Sequence, residues 1–399
     1  MLQPVVIPIL MAFDKNYCLP AGVAMHSMLT HAARTREGVP LFYKIHCLVQ
    51  GLDTDHEIEL QNALMPFKDF SSLEFHDLDW LITHNRTTEQ QNNRTTEQQN
   101  NRTTEQQNNR TLSEKFDLIL RSVDPIALER FSPFVLARFI LPSLFPQYDK
   151  LITCDVDVVF VKDMSESYFA LNTDDPYYLA VAKEFRGDAS VAEAIRTRLI
   201  MASSKKITID RHFLSPEQWQ ILYENPFNIG FAVFNLKAWR KSNLEEQCIE
   251  FFAHKGHGLC YPEQDALTLL CHGYMLELPH TYNTNPFHFN IPNHPIHQAV
   301  QNTNEVIMWH FCGEIKPWEP QNFHAAPLWI RALVRTPFTT TYFERYDRWL
   351  TNKDSKAYLS CLEPLLTKKV LRDYIFYKIQ KTFKRWYTDL CFWWKLKKI

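Results

Sequence analysis

The apolar run Val5-Val-Ile-Pro-Ile-Leu-Met-Ala-Phe13 predicts a buried strand, closed by the polar Asp14-Lys-Asn-Tyr17 and followed by a helical pattern to about Thr30. Residues 41–49 repeat the strand signature, 53–68 predict a helix, and 72–77 a third strand. This alternation of β and α predicts an α/β chain built on a doubly wound, mostly parallel sheet. Residues 128–145 follow a helical period with Arg138 inside it, and 150–161 read as one further buried strand. Residues 177–182 are another strand, and 188–215 a variable, partly helical loop. Residues 226–235 are strand-like with a polar turn, Asn228 to Gly230, set inside them; a helix is expected from Leu236 to His254. Tyr261-Pro-Glu-Gln-Asp-Ala-Leu-Thr268 places Glu263, Gln264 and Asp265 at a helix N-terminus. In 306–318 an apolar strand is closed by His310, with Gly313 and Lys316 beyond it.

Two stretches break the pattern. The octad Asn85-Arg-Thr-Thr-Glu-Gln-Gln-Asn92 recurs at 93–100 and 101–108, and a fourth copy begins at Asn109. It has no large apolar residue and cannot supply a core face, so 85–111 reads as a solvated insertion. Its length is tolerable because loop-closure entropy grows slowly. The Asn-Arg-Thr triplets match a glycosylation sequon by coincidence on this reading. At the other end, Leu371, Ile375, Ile379, Phe383, Trp386, Leu390 and Trp393 recur at three- and four-residue steps among basic residues. That is the pattern of an interfacial amphipathic helix, or of a helix packed on the protein's own core.

Composition sharpens both points. With 399 residues and 45% hydrophobic content the chain can bury a large core, and only 9 glycines argue against a linker-rich or collagenous protein. The net charge of −2 averages unlike parts: 366–399 hold ten lysines and arginines against two aspartates, a net of +8, so the rest carries −10. An anionic membrane surface is the expected partner of that tail alone, and no nucleic acid is expected. Nine scattered cysteines without a C-x-x-C read as free thiols in a reducing compartment. The N-terminus has no basic signal-peptide region and no stretch reaches the length of a membrane span. The expected location is cytoplasmic, peripheral on the inner face of the cytoplasmic membrane.

The candidate chemistry centres on Asp155 and Asp157. On one strand face two carboxylates need a cation, and Mg²⁺ or Mn²⁺ bridging to a diphosphate suits oxygen ligands; the alternative is a turn or cap pair. Asp14 and Asn16 either read a base or ribose or cap the helix that follows. His310, Gly313 and Lys316 would supply an imidazole ligand, room for phosphate and a countercharge, although a histidine at a strand end is also common as a structural residue. Without G-x-G-x-x-G or a Walker lysine, dinucleotide and P-loop readings lose ground.

Together Ala12-Phe-Asp-Lys-Asn-Tyr17, Ala137-Arg138, Asp155-Val-Asp157, Phe227-Asn-Ile-Gly230 with Phe234-Asn-Leu-Lys-Ala-Trp239, Glu263-Gln-Asp265 and His310-Phe-Cys-Gly-Glu-Ile-Lys-Pro-Trp318 resemble glycosyltransferase family 8. These are retaining enzymes of the Rossmann-like GT-A fold that include bacterial lipopolysaccharide α-glucosyl- and α-galactosyltransferases. The resemblance implies Asp155, Asp157 and His310 as ligands of Mn²⁺ or Mg²⁺, and a UDP-sugar as donor. It places Ala12, Asp14 and Asn16 at the uridine, Gly313 and Lys316 at the diphosphate, and Arg138, Asn228 and Gln264 around the sugar. Asp265 would hold sugar hydroxyls or orient Gln264. Glu263 stands where the family usually has Asp. The implied activity is transfer of glucose or galactose to a lipopolysaccharide or oligosaccharide acceptor, by front-side displacement because Gln264 is a poor nucleophile. The alternatives are a sugar-nucleotide hydrolase or nucleotidyltransferase, and a non-catalytic membrane-surface adaptor. The implied organisation is a catalytic domain over 1–320, a helical region over 321–365 and a membrane-association tail over 366–399.

Overall fold

The computed structural model describes residues 3–78, 111–184, 190–209, 211–289, 291–313 and 315–352. Nearly all of the octad repeat and the whole basic tail lie outside these residues. The chain forms two compact units, Met1–Phe338 and Thr339–Ile399. In the second, the described structure is a single helix, Thr339–Thr351.

The first unit is built on a sheet whose strands are β1 (Val5–Asp14), β2 (Thr35–Arg36), β3 (Val39–Gln50), β4 (Ser71–Asp77), β5 (Lys150–Cys154), β7 (Leu179–Lys183), β8 (Phe227–Asn235) and β9 (Met275–Glu277). The long path runs β2-β3-β1-β5-β8-β7-β9, and β4 also pairs with β3. β4, β3, β1 and β5 are parallel neighbours, β7 and β9 share their direction, and β8 runs against its neighbours, as does short β2. This is the mostly parallel α/β sheet that the alternation predicts. Residues 7–11 of β1 are buried without interruption, as expected where helices cover both sheet faces. Helix Cys18–His31 is buried along nearly its whole length, and a Cβ on Gly22 would meet the Phe338 ring at 2.1 Å. The core on the side of helices Leu112–Ser122 and Leu244–Lys255 is aromatic, with Phe139 edge-on to Phe252 at 4.7 Å.

Four expectations change. Residues 150–161 are two strands: β5 stops at Cys154, Asp155-Val-Asp157 turns away, and β6 (Val158–Phe160) pairs antiparallel with β10 (Met308–His310) in a separate ribbon. The turn takes two carboxylates out of a buried ladder and lets them meet cations. Residues 128–145 do not form one helix: Pro125–Phe131 ends at Ser132 (φ 62), a 3₁₀ stretch covers Pro133–Ile140, and Leu141–Leu144 follows. Pro133 and Pro142 each open a new segment because proline lacks the amide that would continue the old one. In the 226–235 stretch, Phe227–Asn235 is strand throughout, with no turn at Asn228–Gly230. The helix expected from Leu236 to His254 breaks at Asn243 (φ 53) into Leu236–Ser242 and Leu244–Lys255.

The seven described cysteines are free thiols. Among the described residues no helix is long and apolar enough to cross a membrane.

Candidate active site

The sheet topology collects the singled-out residues at one end. β1 ends at Asp14 and β5 at Cys154, one residue before Asp155, while antiparallel β8 begins there with Phe227 and Asn228. The carboxyl ends of parallel strands are where open α/β sheets bind ligands. The Asp155 amide donates to Gly230 O at 2.8 Å, fixing the turn on β8. The β6–β10 ribbon sets His310 opposite Val158, and the Phe311 amide donates to Asp157 O at 2.8 Å. A residue 153 positions away in sequence is thereby held beside Asp157.

Each carboxylate of the pair divides its oxygens in the same way. Asp155 Oδ1 accepts from Arg138 Nη2, and Asp157 Oδ2 accepts from Lys316 Nζ at 2.6 Å. The other oxygens face His310 Nε2, Asp157 Oδ1 at 3.1 Å and Asp155 Oδ2 at 3.6 Å. His310 Nδ1 lies 2.8 Å from Asn283 Oδ1, an atom that only accepts, so Nδ1 carries the hydrogen. Nε2 is thus the nitrogen that faces the two carboxylate oxygens, donating to them as N–H in the imidazolium and offering its lone pair to a cation held between the three groups. Two oxygens and one imidazole nitrogen, all within 4.8 Å of one another, form a donor set that fits a divalent cation.

The electrostatics follow from burial. Burial alone would raise the Asp157 carboxyl, but His310 and Lys316 outweigh it and hold the group well below the usual carboxylate range. Burial opposes the His310 imidazolium and the Lys316 ammonium, and Asp157 more than compensates in both, raising each. Arg138 is the hub on the other side: Nη1 donates to Glu263 Oε1 at 2.6 Å while Nη2 serves Asp155. Burial pushes the Glu263 carboxyl up to about 7, against the pull of Arg138 and with a further push from Asp155.

The remaining candidates separate into two groups. Gly230 packs on the site so closely that an added Cβ would stand 2.2 Å from His310 Cε1. Asn228 joins it, its Oδ1 accepting from the Gly230 amide at 2.9 Å and from Asn283 Nδ2 at 3.1 Å. Gly313 takes φ +106 with open space where a Cβ would be. The Gln264 side chain, half-buried on helix Pro262–Leu270, makes no hydrogen bond to the described residues. Asp265 is engaged at both oxygens, by Arg198 Nη1 at 2.8 Å and by the Tyr261 amide at 2.9 Å. Asp14 caps the turn after β1, accepting from the amides of Asn16 at 2.8 Å and Tyr17 at 3.2 Å. Its partner Asn16 is exposed and Ala12 half-buried. Tyr17 meets Trp318 edge-on at 5.3 Å, which joins this end of β1 to the Lys316 segment.

Two residues of the site carry no signal in the sequence pattern. Asn283 sets the His310 tautomer, and Arg198 comes from helix Val191–Ser204, inside the stretch expected to be variable. Beside Asn228 and Asn283 opens a cavity of about 270 Å³, lined also by Lys183, Glu184, His280 and Cys312.

Comparison with known proteins gives the family and the fold. The family model described as "Glycosyl transferase family 8" matches residues 8–321. The chain is 31% identical over 97 residues to lipopolysaccharide 1,2-glucosyltransferase of Escherichia coli (strain K12), covering 23% of this chain and 28% of that protein. It is 27% identical over 135 residues to general stress protein A of Bacillus subtilis (strain 168), covering 31% and 43%. The chain thus spans less than half the length of these curated relatives. Among solved structures it resembles the bifunctional glycosyltransferase WbbM (TM-score 0.56, 19% identity, 86% of this chain and 53% of that one). It also resembles the galactosyltransferase LgtC in complex with donor and acceptor sugar analogues (TM-score 0.53, 16% identity, 83% and 96%). At these identities the likeness is one of fold, and the fold is GT-A.

Proposed function

Because the chain belongs to glycosyl transferase family 8, we propose that it is a metal-dependent, retaining hexosyltransferase that moves glucose or galactose from a UDP-sugar to a lipopolysaccharide acceptor. The observation that carries this reading is the convergence of Asp155 Oδ2, Asp157 Oδ1 and His310 Nε2 beside the Lys316 ammonium. Mn²⁺ or Mg²⁺ held by those three atoms would take up charge developing on the departing diphosphate. Lys316 adds a fixed countercharge at the same place, and its bond to Asp157 keeps it there when no phosphate is present.

The residues around the sugar favour front-side displacement. Glu263 is tied to Arg138 and Asp265 to Arg198, so neither carboxylate is free to form a covalent glycosyl intermediate. Gln264 is unengaged but is an amide and a poor nucleophile. The acceptor hydroxyl oxygen bonds to the anomeric carbon on the face the diphosphate leaves. The carbon–oxygen bond to the phosphate breaks with its electron pair, and the hydroxyl proton passes to the leaving phosphate oxygen. Asn228 and Arg138 orient the donor sugar, Asp14, Asn16 and Ala12 take the uridine end, and Gly313 leaves backbone room for the phosphates. The cavity beside Asn283, lined by amides and imidazoles, suits a polyhydroxylated acceptor. The basic aromatic tail over 366–399 would hold the enzyme on the anionic inner face of the cytoplasmic membrane.

A panel of UDP-sugars with Mn²⁺, read by thermal shift and UDP release with and without lipopolysaccharide, tests the assignment. Acceptor-dependent UDP release is expected. Release of free hexose without acceptor would favour a hydrolase, and the absence of any UDP-dependent shift would favour an adaptor. A chain ending near residue 365 is expected to lose binding to anionic liposomes, and pelleting as the full chain does would refute the role of the tail.

A further inference from the structure

On the other arm of the sheet, β3 and β4 pair in parallel with His46 opposite Glu74 and Leu48 opposite His76. Side chains in register on neighbouring strands emerge on one face, so His46, Glu74 and His76 project together. Their polar atoms converge: His46 Nδ1 lies 2.9 Å from His76 Nε2 and 3.5 Å from Glu74 Oε2, and His76 Nε2 lies 4.0 Å from Glu74 Oε1. Tetrahedral zinc, with bonds of about 2.0–2.1 Å, spaces its ligand atoms about 3.3 Å apart. The two imidazole nitrogens stand close to that spacing, and one ligand atom from each of the three residues lies within 4.8 Å of the others.

The surroundings point the same way. His46 is 1% exposed, and its other nitrogen, Nε2, lies 2.9 Å from the Tyr148 hydroxyl. With Nε2–H donating to that oxygen, Nδ1 turns a lone pair toward His76, the arrangement by which a second partner orients a ligating imidazole. The Phe145 ring, 4.9 Å from His46 and 5.7 Å from His76, closes the group with an apolar cover. Lys44 binds Glu74 Oε2 at 3.0 Å, leaving Oε1 as the oxygen turned to His76.

We propose that His46, Glu74 and His76 form a second metal site, distinct from the Asp155–Asp157–His310 group, that takes Zn²⁺ and fastens strand β4 to β3. Two imidazoles and one carboxylate are a softer donor set than two carboxylates and one imidazole. The same protein therefore sorts metals, zinc or its N-preferring neighbours here and Mg²⁺ or Mn²⁺ there. The three protein ligands leave a fourth position to water.

Zinc binding to the full, chelator-stripped chain is measured by calorimetry, with Co²⁺ absorption reporting the coordination geometry. The expected result is a zinc that Asp157→Asn retains and that His76→Gln and Glu74→Gln each weaken at least tenfold. In Asp157→Asn, Co²⁺ should give the spectrum of a four-coordinate nitrogen–oxygen site. Should His76→Gln fail to fold, Glu74→Gln, at a half-exposed side chain, decides alone. His76→Gln should keep full UDP-hexose turnover in excess Mn²⁺. The proposal is overturned if no zinc survives Asp157→Asn, or if the zinc that survives is unaffected by either ligand substitution.

Discussion

Replacing Gly230 by alanine tests the geometry of the site without removing any of its polar groups. The new methyl would stand 2.2 Å from His310 Cε1, 2.7 Å from Nδ1 and 3.0 Å from Asn228 Oδ1. Carbon atoms settle at about 3.5 Å, so the imidazole must retreat by roughly 1 Å. It has little freedom to do so, because His310 is 2% exposed and held from behind by Asn283 at 2.8 Å. Overpacking of this kind costs about 1–3 kcal/mol of stability. A 1 Å misplacement in a catalytic constellation costs about 100-fold in rate, or about 2.7 kcal/mol of barrier. The expected outcome for Gly230→Ala is a folded protein with a modestly lower melting temperature and UDP-hexose turnover reduced about 100-fold. Gly22→Ala is the control: its Cβ would overlap the Phe338 ring at 2.1 Å, an equal clash with a side chain that is not among the candidate site residues. That variant should lose comparable stability and keep turnover within about threefold per folded molecule. If Gly230→Ala turned over UDP-hexose as fast as Gly22→Ala, the placement of His310 would not matter and the reasoning would fail.

Arg138→Met strands two carboxylates, Asp155 and buried Glu263, and is expected to cost about 3–5 kcal/mol in urea denaturation; a loss below about 1 kcal/mol would contradict the hub role. Glu263 has its folded-state value raised from 4.5 to about 7, so the folded protein holds that proton more tightly than the unfolded chain. The resulting stability is fully present below pH 4.5 and is lost as pH rises to about 7. Relative to wild type, Glu263→Gln should therefore gain about 3 kcal/mol between these limits and then level off, and a pH-independent difference would count against the shift. Asp265 and Arg198 bond at 2.8 Å in a buried pair, so Asp265→Asn and Arg198→Met should be non-additive, with a coupling of about 1–3 kcal/mol in a double-mutant cycle. Additive losses would show that the pair does not act as a unit.

Much of this site is legible in the sequence because its chemistry is local in the chain. Asp155 and Asp157 form a short motif, His310 and Lys316 lie six residues apart, and the β–α alternation fixes which strand ends meet. What escapes is what depends on partners chosen in three dimensions. Asn283 and Arg198 act through hydrogen bonds to His310 and Asp265, 27 and 67 positions away, and no periodicity marks them. The apolar run through 150–161 looks like one strand because hydrophobicity does not record that β5 pairs with β1 and β8 while β6 pairs with β10. Asp14 illustrates the converse: its place between strand and helix announces a cap, and its carboxylate caps the turn it precedes.

The central claim is that Asp155, Asp157 and His310 join a divalent cation to the diphosphate of a sugar nucleotide. Calorimetric titration of UDP into the full chain, with and without Mn²⁺, in the wild type and in Asp157→Asn, tests it most directly. UDP affinity in the wild type should rise at least tenfold with Mn²⁺, about 1.4 kcal/mol of coupling, and that gain should vanish in Asp157→Asn while the protein stays folded. An affinity indifferent to Mn²⁺ in the wild type, or a gain that persists in the variant, would contradict the account.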